Sequence, residues 1–174
     1  MGLGVETERV AQMVSETVFD RIAEMLDRHG VRYEVTRHEP VYTSEEAARV
    51  RGTSLSSGAK ALLCKADKAF VVAVLPAHLR LDSKETRRQK SIRSLRFAAR
   101  EEVNELTELA PGAIPPFGSL FNLPTWCDHG LAREERINFN AGDHAVSISM
   151  TFKDYQRVEN PEMARLAEEE GKDT

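Results

Sequence analysis

The chain opens on an amphipathic pattern. From about Glu6 to His29 the apolar residues Val10, Met13, Val14, Val18, Ile22, Met25 and Leu26 recur at helical spacing, and Gly30 stands where a left-handed C-cap belongs. The other face of this helix is acidic rather than basic, so the apolar stripe is expected to dock on a domain and not on a membrane. Val31, Tyr33 and Val35 alternate as a short strand that ends at His38-Glu39-Pro40. Thr43-Ser44-Glu45-Glu46 has the form of a capping box, with Thr43 as N-cap, and opens a short helix that Gly52 ends. Two apolar runs follow, Ala59 to Lys65 and Phe70 to Leu75, joined through Ala66-Asp67-Lys68 as a hairpin. The second run is apolar throughout, which predicts a central strand.

Pro76 breaks that strand, Leu79-Arg80-Leu81 resumes an extended segment, and Asp82 or Ser83 can cap a basic helix through Lys90. Ile92 to Ala98 reads as a strand, and Glu101 to Leu109 as a helix with acids in its first turn that Pro111-Gly112 ends. Gly112 to Gly118, GAIPPFG, is too rich in proline and glycine for a helix or a central strand. It predicts an ordered loop, either a rigid rim offering carbonyl acceptors or a turn with Phe117 plugged into the core. Asn122 to Cys127 predicts a strand, and Ile137 to Asn140 and Ala145 to Met150 two more, joined by a turn at Ala141-Gly142-Asp143-His144. Thr151 can cap a helix through Arg157. Asn160-Pro161 predicts a last helix, with proline in its first turn, running to Glu170 before a frayed end at Lys172 to Thr174.

At 174 residues the chain has the size of one globular domain with a real core. No run of about 18 apolar residues could span a bilayer, and Met1 to Val10 lacks the basic start and apolar middle of a signal peptide, so a cytoplasmic protein is expected. Cys64 and Cys127 stand far apart without metal-ligand spacing, and read as small core residues. The net charge of −4 argues against a general nucleic-acid binder. It hides one basic patch, Arg80, Lys84, Arg87, Arg88, Lys90, Arg93, Arg96 and Arg100, opposed only by Asp82 and Glu85. Such a run is either a solvated helix face or a footing for a phosphate backbone.

For chemistry, the period of the first hairpin strand puts Lys60, Leu62 and Cys64 on one face. An ammonium that begins an apolar face must reach water along its stem or meet an anion or carbonyls. No hydrolase elbow, zinc-protease helix, phosphate-binding loop or dinucleotide fingerprint is present. His38, His78 and His144 could serve as bases but are isolated in sequence, and a thiol hydrolase built on Cys64 would need a strand cysteine that faces the core.

Five motifs occur in order: GAKALLCK around Lys60, Arg80-Leu81-Asp82, Glu101 to Thr107, GAIPPFG at Gly112 to Gly118, and INFNAG at Ile137 to Gly142. Together they resemble the YbaK/prolyl-tRNA synthetase-associated domain family, and Arg51 to Lys65 most resembles its YeaK-like branch. The resemblance covers about Val31 to Val158. It implies a single α/β domain, a curved mixed sheet with a barrel-like core surrounded by helices. Residues 1–30 would form a helix packed on the domain, 31–158 the deacylase domain, and 159–174 a C-terminal helix and tail. It implies trans-editing, hydrolysis of the ester of a tRNA mischarged with a small amino acid such as serine, alanine or threonine, without a cofactor. Lys60 would be the essential pocket residue. Gly112, Pro116, Phe117 and Gly118 would shape the amino-acid site, Asn140, Gly142 and Ser147 would line it, and Thr43 would contact substrate. Arg80, Lys84, Arg87, Arg88 and Lys90 would then carry the tRNA. The expected partners are mischarged aminoacyl-tRNA and an aminoacyl-tRNA synthetase, with the oligomeric state open, a homodimer included. The alternative function is a non-catalytic adaptor of the same fold that binds tRNA or a synthetase.

Overall fold

The computed structural model describes residues 16–169. Helix α1, Val18–Arg28, begins later than its apolar stripe predicts, because Thr17 and Asp20 form a reciprocal capping box. The predicted turns before Glu16 lie outside the described residues, as does the frayed end at Lys172 to Thr174. Ile22 and Leu26 of α1 are fully buried, so the described part of this helix docks by its apolar face. Strand β1, Tyr33–Arg37, leads to α2, Ser44–Arg51, where Thr43 caps by accepting from the Glu46 N–H at 3.1 Å. The Glu46 carboxylate reaches one residue further back than predicted and accepts from the Tyr42 N–H at 3.2 Å.

The hairpin β2, Ala59–Ala66, and β3, Ala69–Pro76, forms as read. Asp82 is the cap of α3, Ser83–Lys90. After β4, Leu95–Phe97, and α4, Arg100–Thr107, come β5, Thr125–Asp128, β6, Arg136–Asn140, and β7, Val146–Thr151. Thr151 caps α5, Phe152–Glu159.

The predicted last helix is instead a strand, β8, Glu162–Ala164, parallel to β5. Its local sequence does favour a helix, but a tertiary contact decides. The buried Asp128 carboxylate accepts the Leu166 and Ala167 N–H groups at 2.7 and 2.8 Å, while Asp82 N–H donates to the Leu166 carbonyl at 2.8 Å. These bonds hold the segment extended and bury Leu166 completely.

The strands form two ladders, β1-β7-β6, wholly antiparallel, and β4-β2-β3-β5-β8, mixed, with β3 in the middle as its composition predicts. They meet at one parallel bridge, Gly58 to Asn138, where the Asn138 amide also donates to Ser57 Oγ at 3.0 Å. The sheet is thus curved and mixed as expected but does not close into a barrel. The larger core, with Phe117, Phe139 and Tyr155 in edge-to-face contact, lies inside the curve, and a smaller one around Cys64, Leu75 and Trp126 lies on the outer face of the second ladder. No helix among the described residues is long and apolar enough to cross a membrane.

Candidate functional site

The bridge at Gly58 brings β6 alongside the start of β2, and β4 joins the same side of β2 only from Cys64 onward. Between them β2 has an open flank, and a cleft of about 240 Å³ lies along it. Helix α2, the β6–β7 turn and the Pro111-Gly112 corner supply its other walls. Of the residues expected at a site, Lys60, Thr43, Gly112 and Asn140 line it.

Lys60 is half-buried, and desolvation lowers its pKa below that of an ordinary lysine. Glu45 opposes that shift and Arg80 reinforces it, both at longer range than a salt bridge. The Thr43 hydroxyl is committed to capping α2. Asn140 is held from both ends. Its Oδ1 accepts from Arg51 Nη2 at 2.9 Å, and its Nδ2 donates to the Gly112 carbonyl at 2.8 Å.

Arg51 is the member of this network that sequence reasoning missed. In the last turn of α2 it reads as a dipole-favourable surface charge. Folding instead carries it across to β6 and β7, where burial lowers its pKa to about 10 and Nε donates to Ser147 Oγ at 2.7 Å. Ser147 is buried beneath it, and a second contact joins Ser147 Oγ to His38 Nε2 at 2.7 Å. His38 Nδ1 donates to the Glu39 carbonyl at 2.8 Å, since a carbonyl only accepts. The serine and histidine thus resemble a nucleophile and its base, but Ser147 is 3% exposed and Arg51 already occupies its oxygen. Tyr42, also missed as a site residue, packs its ring at 4.9 Å on His144, one of the candidate bases, at the cleft rim. Their juxtaposition comes from the distant β6–β7 turn, which leaves no local signal.

Four expected residues lie elsewhere. Pro116 and Phe117 are buried in the core, with the Pro116 carbonyl accepting from the Tyr155 hydroxyl at 2.7 Å. The loop is therefore the Phe117 plug, and only its first part, Gly112 and Ile114, reaches the cleft. Gly118 packs against Thr125, where an added Cβ would sit 2.6 Å from Oγ1. Gly142 has φ +84° and abuts Val18 of α1, so its glycine serves the docking of that helix.

The basic helix divides similarly. Lys90, expected to carry tRNA, has a side chain only 8% exposed, ion-paired to Glu162 at 2.8 Å and set over the Trp126 ring at 4.7 Å. Arg88 pairs with Glu85 at 2.6 Å, and Arg87 donates to the Ser83 carbonyl at 3.3 Å. Arg80 and Lys84 remain exposed. Cys64 and Cys127 are fully buried free thiols, each pushed up to about 12 by burial, so neither offers a thiolate to the cleft. Among the described residues no cluster of histidine, cysteine or acidic side chains is placed to hold a metal.

The cleft can therefore present two desolvated cations, Arg51 tied to Ser147 and Asn140 and Lys60 with no ion pair among the described residues, together with one oriented amide and a fixed corner, to a small polar ligand. Among proteins of known activity, the chain is 34% identical to the multifunctional Ser/Thr-tRNA deacylase ProXp-y of Escherichia coli over 151 residues, 84% of this chain and 90% of that one. It is 22% identical to the prolyl-tRNA editing protein ProX of Acetoanaerobium sticklandii over 139 residues, 76% of this chain and 85% of that one. The crystal structure of a putative trans-editing enzyme for prolyl tRNA synthetase superposes with a TM-score of 0.79 at 26% identity, covering 88% of this chain and 99% of that one. The model of the aminoacyl-tRNA editing domain matches residues 38–158, a span that holds every cleft residue and most of both ladders, and the chain belongs to that family.

Proposed function

We propose that this chain is a trans-editing aminoacyl-tRNA deacylase that hydrolyses the ester of tRNA mischarged with a small amino acid of the serine, threonine or alanine kind. The observation that carries the reading is Lys60, a half-buried ammonium without an ion-pair partner among the described residues, facing a cleft of about 240 Å³. An aminoacyl ester is already activated. Its hydrolysis needs an attacking oxygen, from water or the neighbouring ribose hydroxyl, and stabilisation of the charge that develops on the carbonyl oxygen. Lys60 supplies that stabilisation as a cation, or holds the terminal phosphate so that the ester lies against it. The cleft walls exclude larger side chains, which is how a pocket selects small ones, since missing bulk is penalised only weakly. The relatives named for Ser/Thr-tRNA deacylation and prolyl-tRNA editing support the same substrate class.

Arg80 and Lys84 are exposed cations of the basic segment with no ion pair among the described residues, Arg80 close enough to act on Lys60, and we assign them the tRNA backbone. Neutralising both should reduce the salt dependence of tRNA turnover by about one to two phosphate contacts. An aminoacyl-tRNA synthetase is the protein partner this reading expects.

The test is release of labelled amino acid from tRNAs charged with serine, alanine, threonine and cysteine, wild type beside Lys60→Ala. Release that depends on Lys60 names the substrate. No release by a folded wild-type protein that still binds tRNA overturns the deacylase and leaves the adaptor.

A further inference from the structure

The open flank of β2 extends past the cleft. Ala77 N–H donates to the Gly58 carbonyl at 2.8 Å, so by the alternation of an antiparallel ladder Gly58, Lys60, Leu62 and Cys64 turn their backbone groups toward β3. Ala59, Ala61 and Leu63 turn theirs outward. On that side Ala98 N–H donates to the Leu63 carbonyl at 2.9 Å, after which the chain leaves β2 to begin α4. The flank at Ala61 is left to a second depression of about 200 Å³, lined mainly by Leu62, Leu63, Phe97, Ala98, Val103 and Ile114. The two depressions share Ala61, Leu62, Pro111, Gly112 and Ile114, so they are one trough with a polar end at Lys60 and an apolar end at Phe97. Phe97 is 60% exposed, a large aromatic that the fold leaves at the rim.

We propose that the apolar end of this trough takes the base of the terminal nucleoside of the charged tRNA, with Phe97 as its stacking platform. The inference rests on the deacylase reading and deepens it. If the amino acid occupies the Lys60 end, the other side of the ester carries a ribose and then a base. The surface continuous with that end is apolar and finishes in an aromatic face. Base–aromatic stacking tolerates any base, which suits a terminus common to many acceptors. Arg93 and Arg100, exposed on either side of β4, offer cations to an approaching phosphate backbone.

The experiment uses uncharged tRNA ending in 2-aminopurine, whose fluorescence is quenched when the base stacks, with wild type, Phe97→Ala, Phe97→Trp and Tyr42→Ala. Wild type and Phe97→Trp should quench, and Phe97→Ala should not. With seryl-tRNA, Phe97→Ala should raise KM by about tenfold or more with kcat nearly unchanged, and Phe97→Trp should restore it. A quench retained in Phe97→Ala and lost in Tyr42→Ala moves the base to the other rim and overturns the proposal. So does absence of any quench in wild type, or self-association of wild type that Phe97→Ala abolishes while the quench persists. The quench needs no hydrolysis, so failure of the deacylase reading shows separately as a wild type that docks the base and releases no amino acid.

Discussion

Two lysines on opposite sides of β3 set the terms of this molecule. One starts an apolar strand and the other ends a helix rich in charge, and both leave bulk water. Lys90, at the end of α3, is nearly enclosed, yet it meets Glu162 at 2.8 Å and the face of Trp126 at 4.7 Å. Lys60, at the start of β2, is more open, yet among the described residues it meets no carboxylate at ion-pair distance, and burial depresses its pKa. Burial alone therefore does not mark a functional cation. A buried charge with partners closes a structure, whereas one without them is held ready for a ligand that brings its own negative charge.

The largest effect expected of breaking this contrast is on activity. Lys60→Met should lower deacylation of the preferred mischarged tRNA by about 10² or more, the scale of losing one transition-state charge contact, while stability stays within about 1 kcal/mol. Amino-acid release and thermal melting, measured side by side, check both halves. Arg51→Met comes next. It frees Asn140 and, through it, the Gly112 corner, so kcat/KM should fall by about tenfold to a hundredfold without loss of tRNA binding.

Lys90→Met should do the reverse of Lys60→Met. Removing the cation from Trp126 and Glu162 should cost about 1 kcal/mol, a melting shift of about 2–4 °C, and leave turnover nearly intact. A matching loss of turnover would return Lys90 to the tRNA surface. The smallest effect concerns pH. Because the Lys60 pKa is lowered, its cation is lost as pH rises through a value below the usual lysine range, and turnover should fall on that alkaline limb. Glu45→Gln removes a carboxylate that opposes the shift, so the limb should move to lower pH. The stability sign is opposite: the cost of desolvating the charged form is fully present below the lowered pKa and is relieved as Lys60 deprotonates.

Much of the fold was readable because it is local. The period of β2 and β3, the Thr43, Asp82 and Thr151 caps and the turn after Asn140 are properties of short windows, and each appears where its window puts it. Lys60 was readable for the same reason, as a charge that begins an apolar strand. What the windows could not reveal was made by distant partners. Arg51 has its meaning from Ser147 and Asn140, residues in two strands of the other ladder. The segment after Pro161 looks helical until Asp128 is considered, and Pro116 and Phe117 look like a rim until Tyr155 is. The resemblance carried Gly118 and Gly142 into the site by motif, but their contacts with Thr125 and Val18 are packing.

Asp128 has a consequence for how the chain is made. Its buried carboxylate accepts from Gly130, close in sequence, and from Leu166 and Ala167, which are synthesised after every residue of the cleft. During translation, β5 therefore waits at the unfinished edge of the sheet with two acceptor positions still facing water. The strand that completes it emerges from the ribosome only after the trough and both ladders' inner strands are out. The working face is thus laid down first, and the seal on the far side of the sheet is added only after it.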